Sequence, residues 1–352
     1  MKKHSLALSL LAGATLFFGA TAEAAPVHQP KPTSVKKLEQ DWRKQARTKK
    51  LKINRLPAAK RGEEKILFHE SLESNLYVVN PDGTDPHLLI EGAEGGKLSP
   101  DGKKILFTAY NGTDSTDVYV ANSDGTHVVN LTHSPEWESA GSWNPDGTKV
   151  TYDSFMNDDR DIWEMNADGT NKKNLTQTPG FWESYGNYSP DGKKILFIAS
   201  SDGYFDVYTM NADGSNVINV TNTPGYYDSS AEWTQDGRIS LNDERNVFIV
   251  DANKTNPHLK ACFDADYAGN TELSSALCDQ VTFFKDGALI SATTWSPDEK
   301  KLAVSRSVWD SNDQEIPNKV RVFLVSPGGD ETEAKQVTNK IFSYASDWGV
   351  MR

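Results

Sequence analysis

The chain has 352 residues, 37% of them hydrophobic and 24% charged, with two cysteines and a formal net charge of −12. That length supports a sizeable core without staples. The acidic balance argues against a nucleic-acid partner, and beyond the first 24 residues no run approaches the roughly 20 apolar residues that a bilayer crossing needs. The charge is unevenly placed: Lys31 to Arg61 holds twelve Lys/Arg against Glu39 and Asp41, whereas residues 62–352 hold 23 Lys/Arg against 46 Asp/Glu.

In chain order, Lys2, Lys3 and His4 precede an apolar run from Leu6 to Phe18, and Ala22-Glu23-Ala24 supplies a small-x-small cleavage site. This predicts an export signal over 1–24 and a periplasmic or secreted mature chain. No cysteine follows the run to accept a lipid. Residues 25–61 read as a basic, flexible arm with too few apolar residues for a core of its own. It is expected to be a tether, with contact to an anionic surface such as cell wall or lipid as the alternative role.

From residue 62 onward a repeat of about 45 residues dominates. One motif runs Ser99-Pro-Asp-Gly102, Asn144-Pro-Asp-Gly147, Ser189-Pro-Asp-Gly192, Thr234-Gln-Asp-Gly237 and Ser296-Pro-Asp-Glu299, with Asp-to-Asp intervals of 45, 45, 45 and 62. A second lies between: Asn80-Pro-Asp-Gly83, Asn122-Ser-Asp-Gly125, Asn166-Ala-Asp-Gly169 and Asn211-Ala-Asp-Gly214. Both are hairpin-turn chemistry. Apolar runs such as Lys104–Phe107, Lys149–Tyr152 and Lys194–Phe197 flank them, making four short strands per period, the signature of a propeller blade. The first repeat lacks an innermost strand, and Tyr344-Ala-Ser-Asp-Trp348 supplies one at the other end of the chain. The expected fold is therefore an all-β, six-bladed β-propeller over 62–352, closed by the C-terminal strand pairing into the first blade.

Ser189-Pro-Asp-Gly-Lys-Lys-Ile-Leu-Phe197 and Met210-Asn-Ala-Asp-Gly-Ser215 resemble the repeat of the TolB-like propellers over roughly residues 62–352. The resemblance implies a fold more than a function. TolB itself carries a separate α/β domain before its propeller, and the basic arm is too short and polar to be one, so the expectation is a TolB relative without that domain.

Both Asp-Gly turns of a repeat fall on one face of the disc. On the other, five residues before the innermost-strand aromatic, lie Glu138, Glu183 and Asp228, each preceded by an aromatic: Trp137, Trp182 and Tyr227. Ala93, Ile290 and Ser343 occupy the position elsewhere, so the expected ring at the channel mouth is lopsided. Acids beside aromatic faces suit a cation, a cationic partner or a sugar; equally, an acid recurring with the repeat can serve only to satisfy neighbouring backbone. The same face collects Tyr110, Asp114, Phe155, Asp158, Asp159, Arg160, Tyr204, Phe205 and Trp309.

The 62-residue interval holds 17 extra residues. Cys262 and Cys278, in or beside it, are read as one disulfide, with two free buried thiols as the alternative. The expected result is a pinned flap, about 263–288, over or beside the channel mouth. Asn130-Leu-Thr, Asn174-Leu-Thr and Asn219-Val-Thr recur because a strand recurs, not as glycosylation sites.

No nucleophile elbow, zincin motif or metal-spaced Cys/His cluster occurs. His133, five residues before Glu138, is the one histidine near the mouth, and His133 with Glu138 and Glu183 forms the catalytic alternative, a polysaccharide lyase or glycosidase. The leading expectation is non-enzymatic: a monomer binding a protein or polysaccharide partner through Trp137, Glu138, Trp182, Glu183, Tyr227, Asp228, Tyr204 and Trp309. No cofactor is expected, a divalent cation such as calcium being the ion the channel acids would suit.

Overall fold

The computed structural model describes residues 51–56, 62–70, 74–112, 115–156, 159–200, 204–224, 226, 228, 230–243, 245–282, 290–309, 315–330, 332–338 and 343–352. The expected export signal, most of the basic arm, Asp114, Asp158, Tyr227 and the side chain of Trp309 lie outside the described set.

The first sheet orders β1 (Lys52–Ile53), β4 (His87–Glu91), β3 (Asn75–Val79), β2 (Glu64–Glu70) and β25 (Ser343–Val350). The second runs β5 (Ala93–Leu98), β6 (Lys104–Tyr110), β7 (Thr116–Asn122) and β8 (Val129–Asn130). A long third sheet takes β9 (Trp137–Trp143), β10 (Lys149–Met156), β11 (Asp159–Asn166), β12 (Lys173–Asn174), β13 (Trp182–Tyr188), β14 (Lys194–Ser200), β15 (Asp206–Asn211) and β16 (Ile218–Asn219). The fourth holds β17 (Ala231–Trp233), β18 (Ile239–Asn242), β19 (Val247–Val250) and β20 (Asp279–Gln280). The fifth holds β21 (Ile290–Trp295), β22 (Leu302–Trp309), β23 (Glu315–Val325) and β24 (Lys335–Gln336).

The motifs close these hairpins as their chemistry dictates. Gly102, Gly147 and Gly192 take φ of +69°, +72° and +71°, and the preceding aspartates accept the backbone N–H two residues on, as in Lys103 to Asp101 at 3.1 Å and Thr148 to Asp146 at 2.8 Å. Apolar clusters then join the sheets in a ring. Leu106, Val118 and Val120 pack on Trp143 and Tyr152 between the second and third sheets, and Phe68 and Val79 pack on Val322 and Leu324 between the first and fifth. Closure is by strand pairing: β25 hydrogen-bonds antiparallel with β2 from Glu64↔Val350 to Glu70↔Ser343.

The expectation of six blades requires correction. The described strands hydrogen-bond as four small sheets of four or five strands and one of eight. Arg160 in β11 pairs in parallel with Trp182 in β13, and that bridge merges two sequence repeats into one sheet. A period counts repeats; contacts between repeats decide how many sheets they make.

Two further expectations change. Leu51–Leu56, assigned to the flexible arm, is anchored: β1 covers the edge of β4, with Lys52↔Glu91 and Ile53↔Ile90 in register, and Leu56 is fully buried. Covering an exposed strand edge is itself stabilising. The insertion is helical, α1 (Leu259–Tyr267) and α2 (Thr271–Leu277). Because β20 follows the helices and pairs with β19, they interrupt the fifth repeat between its third and fourth strands instead of following it. Leu259, Cys262 and Phe263 bury against Leu196, Leu241 and Phe248, and Cys262 and Cys278 form a disulfide.

Candidate functional site: the two ends of the channel

The innermost strands carry a bulge in most repeats, between Glu94 and Lys97, Ala140 and Trp143, and Ser184 and Asn187. Backbones meet closely there: a Cβ on Gly141 would fall on the Gly186 carbonyl oxygen, so glycine is required. One register position, just before the aromatic (or before Leu98, which takes its place), supplies Lys97, Ser142, Asn187, Glu232, Thr294 and Asp347. The Lys97 ammonium bonds Glu232 at 3.1 Å, and Asp347 accepts the Leu98 N–H at 2.6 Å. Withdrawal from bulk water pushes both carboxyls up, against the pull of Lys97. The same withdrawal pulls Lys97 down, but Glu232 and Asp347 outweigh it and hold the ammonium above its ordinary value.

Glu232 lines a cavity on either side of this bar. Toward the mouth is a chamber of about 140 Å³, lined by His69, Glu94, Tyr185 and Tyr344 among others. His69 stacks on Tyr344 at 5.4 Å; both its ring nitrogens are buried without a hydrogen-bond partner among the described residues, and burial lowers its pKa to about 4. Toward the Asp-Gly turns is a larger cavity of about 450 Å³.

The acids singled out by the repeat are elsewhere. Glu138, Glu183 and Asp228 are buried, 5%, 3% and 0% exposed, and line neither cavity. Each turns to hydroxyls of the loop before it: Thr132 and Ser134 for Glu138, Thr176 and Thr178 for Glu183, and Thr223 for Asp228 at 2.5 Å. Burial, only partly offset by those hydroxyls, pushes Glu138 and Glu183 up to about 7. The Asn-x-Thr triplets belong to the same lock, since Asn130, Asn174 and Asn219 donate to Asp117, Asp161 and Asp206 at 2.5, 2.7 and 2.8 Å. His133 is exposed at φ +50°, and no hydrogen bond joins its ring to Glu138 among the described residues.

The predicted aromatics do meet. Tyr110 stands edge-on to Trp137 at 6.4 Å, and Phe155 stacks on Trp182 at 5.7 Å; Phe155 also packs against the first pair. Trp182, Tyr204 and Phe205 are half-buried, and Met156 beside them is 41% exposed. Arg160 is held by Asp153 at 2.9 Å. At the rim, α1 adds Tyr267 beneath the Arg245 guanidinium at 4.4 Å and Asp264 accepting from Tyr226 at 2.6 Å. Reasoning from sequence missed the channel bar because its residues differ from repeat to repeat; the shared register was the available signal. Among the described residues no group of three or more His, Cys, Asp or Glu is placed to hold a metal, and no helix is long and apolar enough to cross a membrane.

A sequence profile described as the TolB beta propeller domain matches residues 66–281. No curated protein matches the chain. Among solved structures, TolB from Acinetobacter baumannii is similar at a TM-score of 0.59 and 15% identity, over 83% of this chain and 68% of that one. Hydrazine synthase from Kuenenia stuttgartiensis is similar at 0.61 and 12% identity, over 85% of this chain but 47% of that one. A chain of a nidogen/laminin complex is similar at 0.52 and 10% identity, over 82% of this chain and 98% of that one. At these identities the likeness is one of fold alone.

Proposed function

Because the chain belongs to the TolB β-propeller family, we propose that it is an exported, non-enzymatic binding protein that engages a protein or glycan partner on its channel-mouth face. The observation that carries this reading is an aromatic ledge contributed by successive repeats, in which half-buried Phe155 and Trp182, edged by exposed Met156, are backed by the buried pair Tyr110 and Trp137. Rigid aromatic faces stack on the apolar faces of sugars and anchor protein partners at low entropic cost. Export rests on the amino-terminal pattern of basic residues, apolar run and Ala22-Glu23-Ala24, and is supported by the Cys262–Cys278 disulfide. In this reading the protein acts as a monomer without a cofactor.

The lyase or glycosidase alternative is not favoured. Glu138 and Glu183 are spent on loop hydroxyls away from both cavities, and His133 does not reach Glu138. Photocrosslinking in cells tests the binding reading. A benzophenone side chain at Met156 is expected to trap a partner or glycan that the same group at exposed Val217, just after the Asn211–Gly214 turn, does not; adducts at Val217 alone would overturn it. On a glycan array or with the trapped protein, Trp182→Ala is expected to weaken binding at least ten-fold.

A further inference from the structure

The larger cavity opens on the face opposite the aromatic ledge, among the Ser-Pro-Asp turns, and the reading above leaves it without a role. Its charge is unbalanced. Asp101, Glu232, Glu299 and Asp347 line it together with Arg352, while Lys97, bonded to Glu232, lines the smaller mouth-side chamber instead. At the floor itself two carboxylates, Glu232 and Asp347, share one ammonium. Three indoles stand beside them: Trp233, Trp295 and Trp348. In this register an indole normally donates its N–H to the repeat before it, as Trp143 does to the Lys97 carbonyl at 3.1 Å, Trp233 to the Asn187 carbonyl at 2.9 Å and Trp295 to the Ser240 hydroxyl at 2.9 Å. Trp348 does not: it is 7% exposed, and its buried N–H has no acceptor among the described residues.

We propose that this turn-side cavity binds an organic cation, an alkylammonium or alkylguanidinium group, seated against Glu232 and Asp347 with the tryptophan faces alongside. A second cation brings the floor to neutrality, which matters most where water is scarce. Indole faces attract cations, guanidinium above all because it is weakly hydrated. A ligand with a carbonyl next to its cationic chain, as in an arginine or lysine residue, also supplies the acceptor that Trp348 lacks. The volume of about 450 Å³ falls within the range of roughly 300–1,000 Å³ typical of ligand pockets.

Calorimetry on the mature chain tests the site with N-acetyl-arginine methylamide, its citrulline isostere, spermidine and calcium. The arginine amide or spermidine is expected to bind with a Kd at or below about 1 mM, the citrulline compound at least ten-fold more weakly. Tighter binding of the arginine amide assigns a polypeptide source, tighter binding of spermidine a free polyamine. Asp347→Asn is expected to weaken the cation at least ten-fold. Lys97→Met, which adds one uncompensated carboxylate, is expected to tighten it about ten-fold, a gain that simple loss of structure cannot produce. The indole N–H resonance identified by Trp348→Phe is expected to shift on binding. Equal affinity for arginine and citrulline compounds, saturation by calcium with none by either organic cation, or no saturation at all would overturn the proposal. The wild-type comparison decides it even if a variant fails to fold, and because the ledge lies on the other face, the two readings fail separately.

Discussion

At the mouth end of the channel the conspicuous acids come from the repeat itself, and each is tucked beside hydroxyls of its own loop. At the turn end the charged residues, Lys97, Glu232 and Asp347, occupy a register filled elsewhere by Ser142, Asn187 and Thr294, and they meet across the ring. The first group locks the loops of three successive repeats in the same way. The second differs around the ring, so it produces a local field and shape that no other position shares. In a repeat protein, periodic residues carry the scaffold's burden and departures from the period carry its individuality.

That contrast can be broken experimentally. Lys97→Met should cost most, about 3–5 kcal/mol by urea unfolding, because it leaves two carboxylates unpaired in the channel; adding Glu232→Gln should recover a large part, and a cost under about 1 kcal/mol would remove the bar from the fold's support. Next, Cys262→Ser with Cys278→Ser should lose about 3 kcal/mol, the expectation for a loop closed over 16 residues, with amide exchange rising in α1 and α2 and not in the aromatic ledge.

The repeat acids should show themselves through pH. Glu138 and Glu183 sit at about 7 in the fold against 4.5 when exposed, so the native state holds protons that the unfolded chain releases. Their contribution is complete below about pH 4.5, declines as pH rises and is gone above about 7, on the order of 2–3 kcal/mol for each. Glu138→Gln with Glu183→Gln should flatten the stability profile between those limits; an unchanged slope would show that the carboxyls are not proton-holding in the fold. Smallest, Trp295→Phe should cost about 1 kcal/mol for the lost bond to Ser240, whereas Trp348→Phe, with no such bond to lose, should cost less.

Much of this was legible in the residues. The Asp-Gly turns and the strands they join follow from local chemistry, which acts over a few residues and is written in the chain directly; the closing strand at Tyr344–Trp348 was legible because it completes the repeat, and the pairing of Cys262 with Cys278 because the chain has two cysteines. The mouth aromatics were legible as a set because they share a register. What escaped is what depends on distance across the ring. The parallel contact of Arg160 with Trp182 that merges two repeats, the helices that displace the fourth strand of the fifth repeat, and the arm's grip on β4 involve segments meeting only once the ring closes. The channel bar is the clearest case. Lys97 and Glu232 are 135 residues apart, and neither sits in a motif. Sequence determined the repeat, since turn and strand preferences are local; only the closed ring determined which of its odd residues would face one another, because that proximity is a property of the circle and of no single repeat.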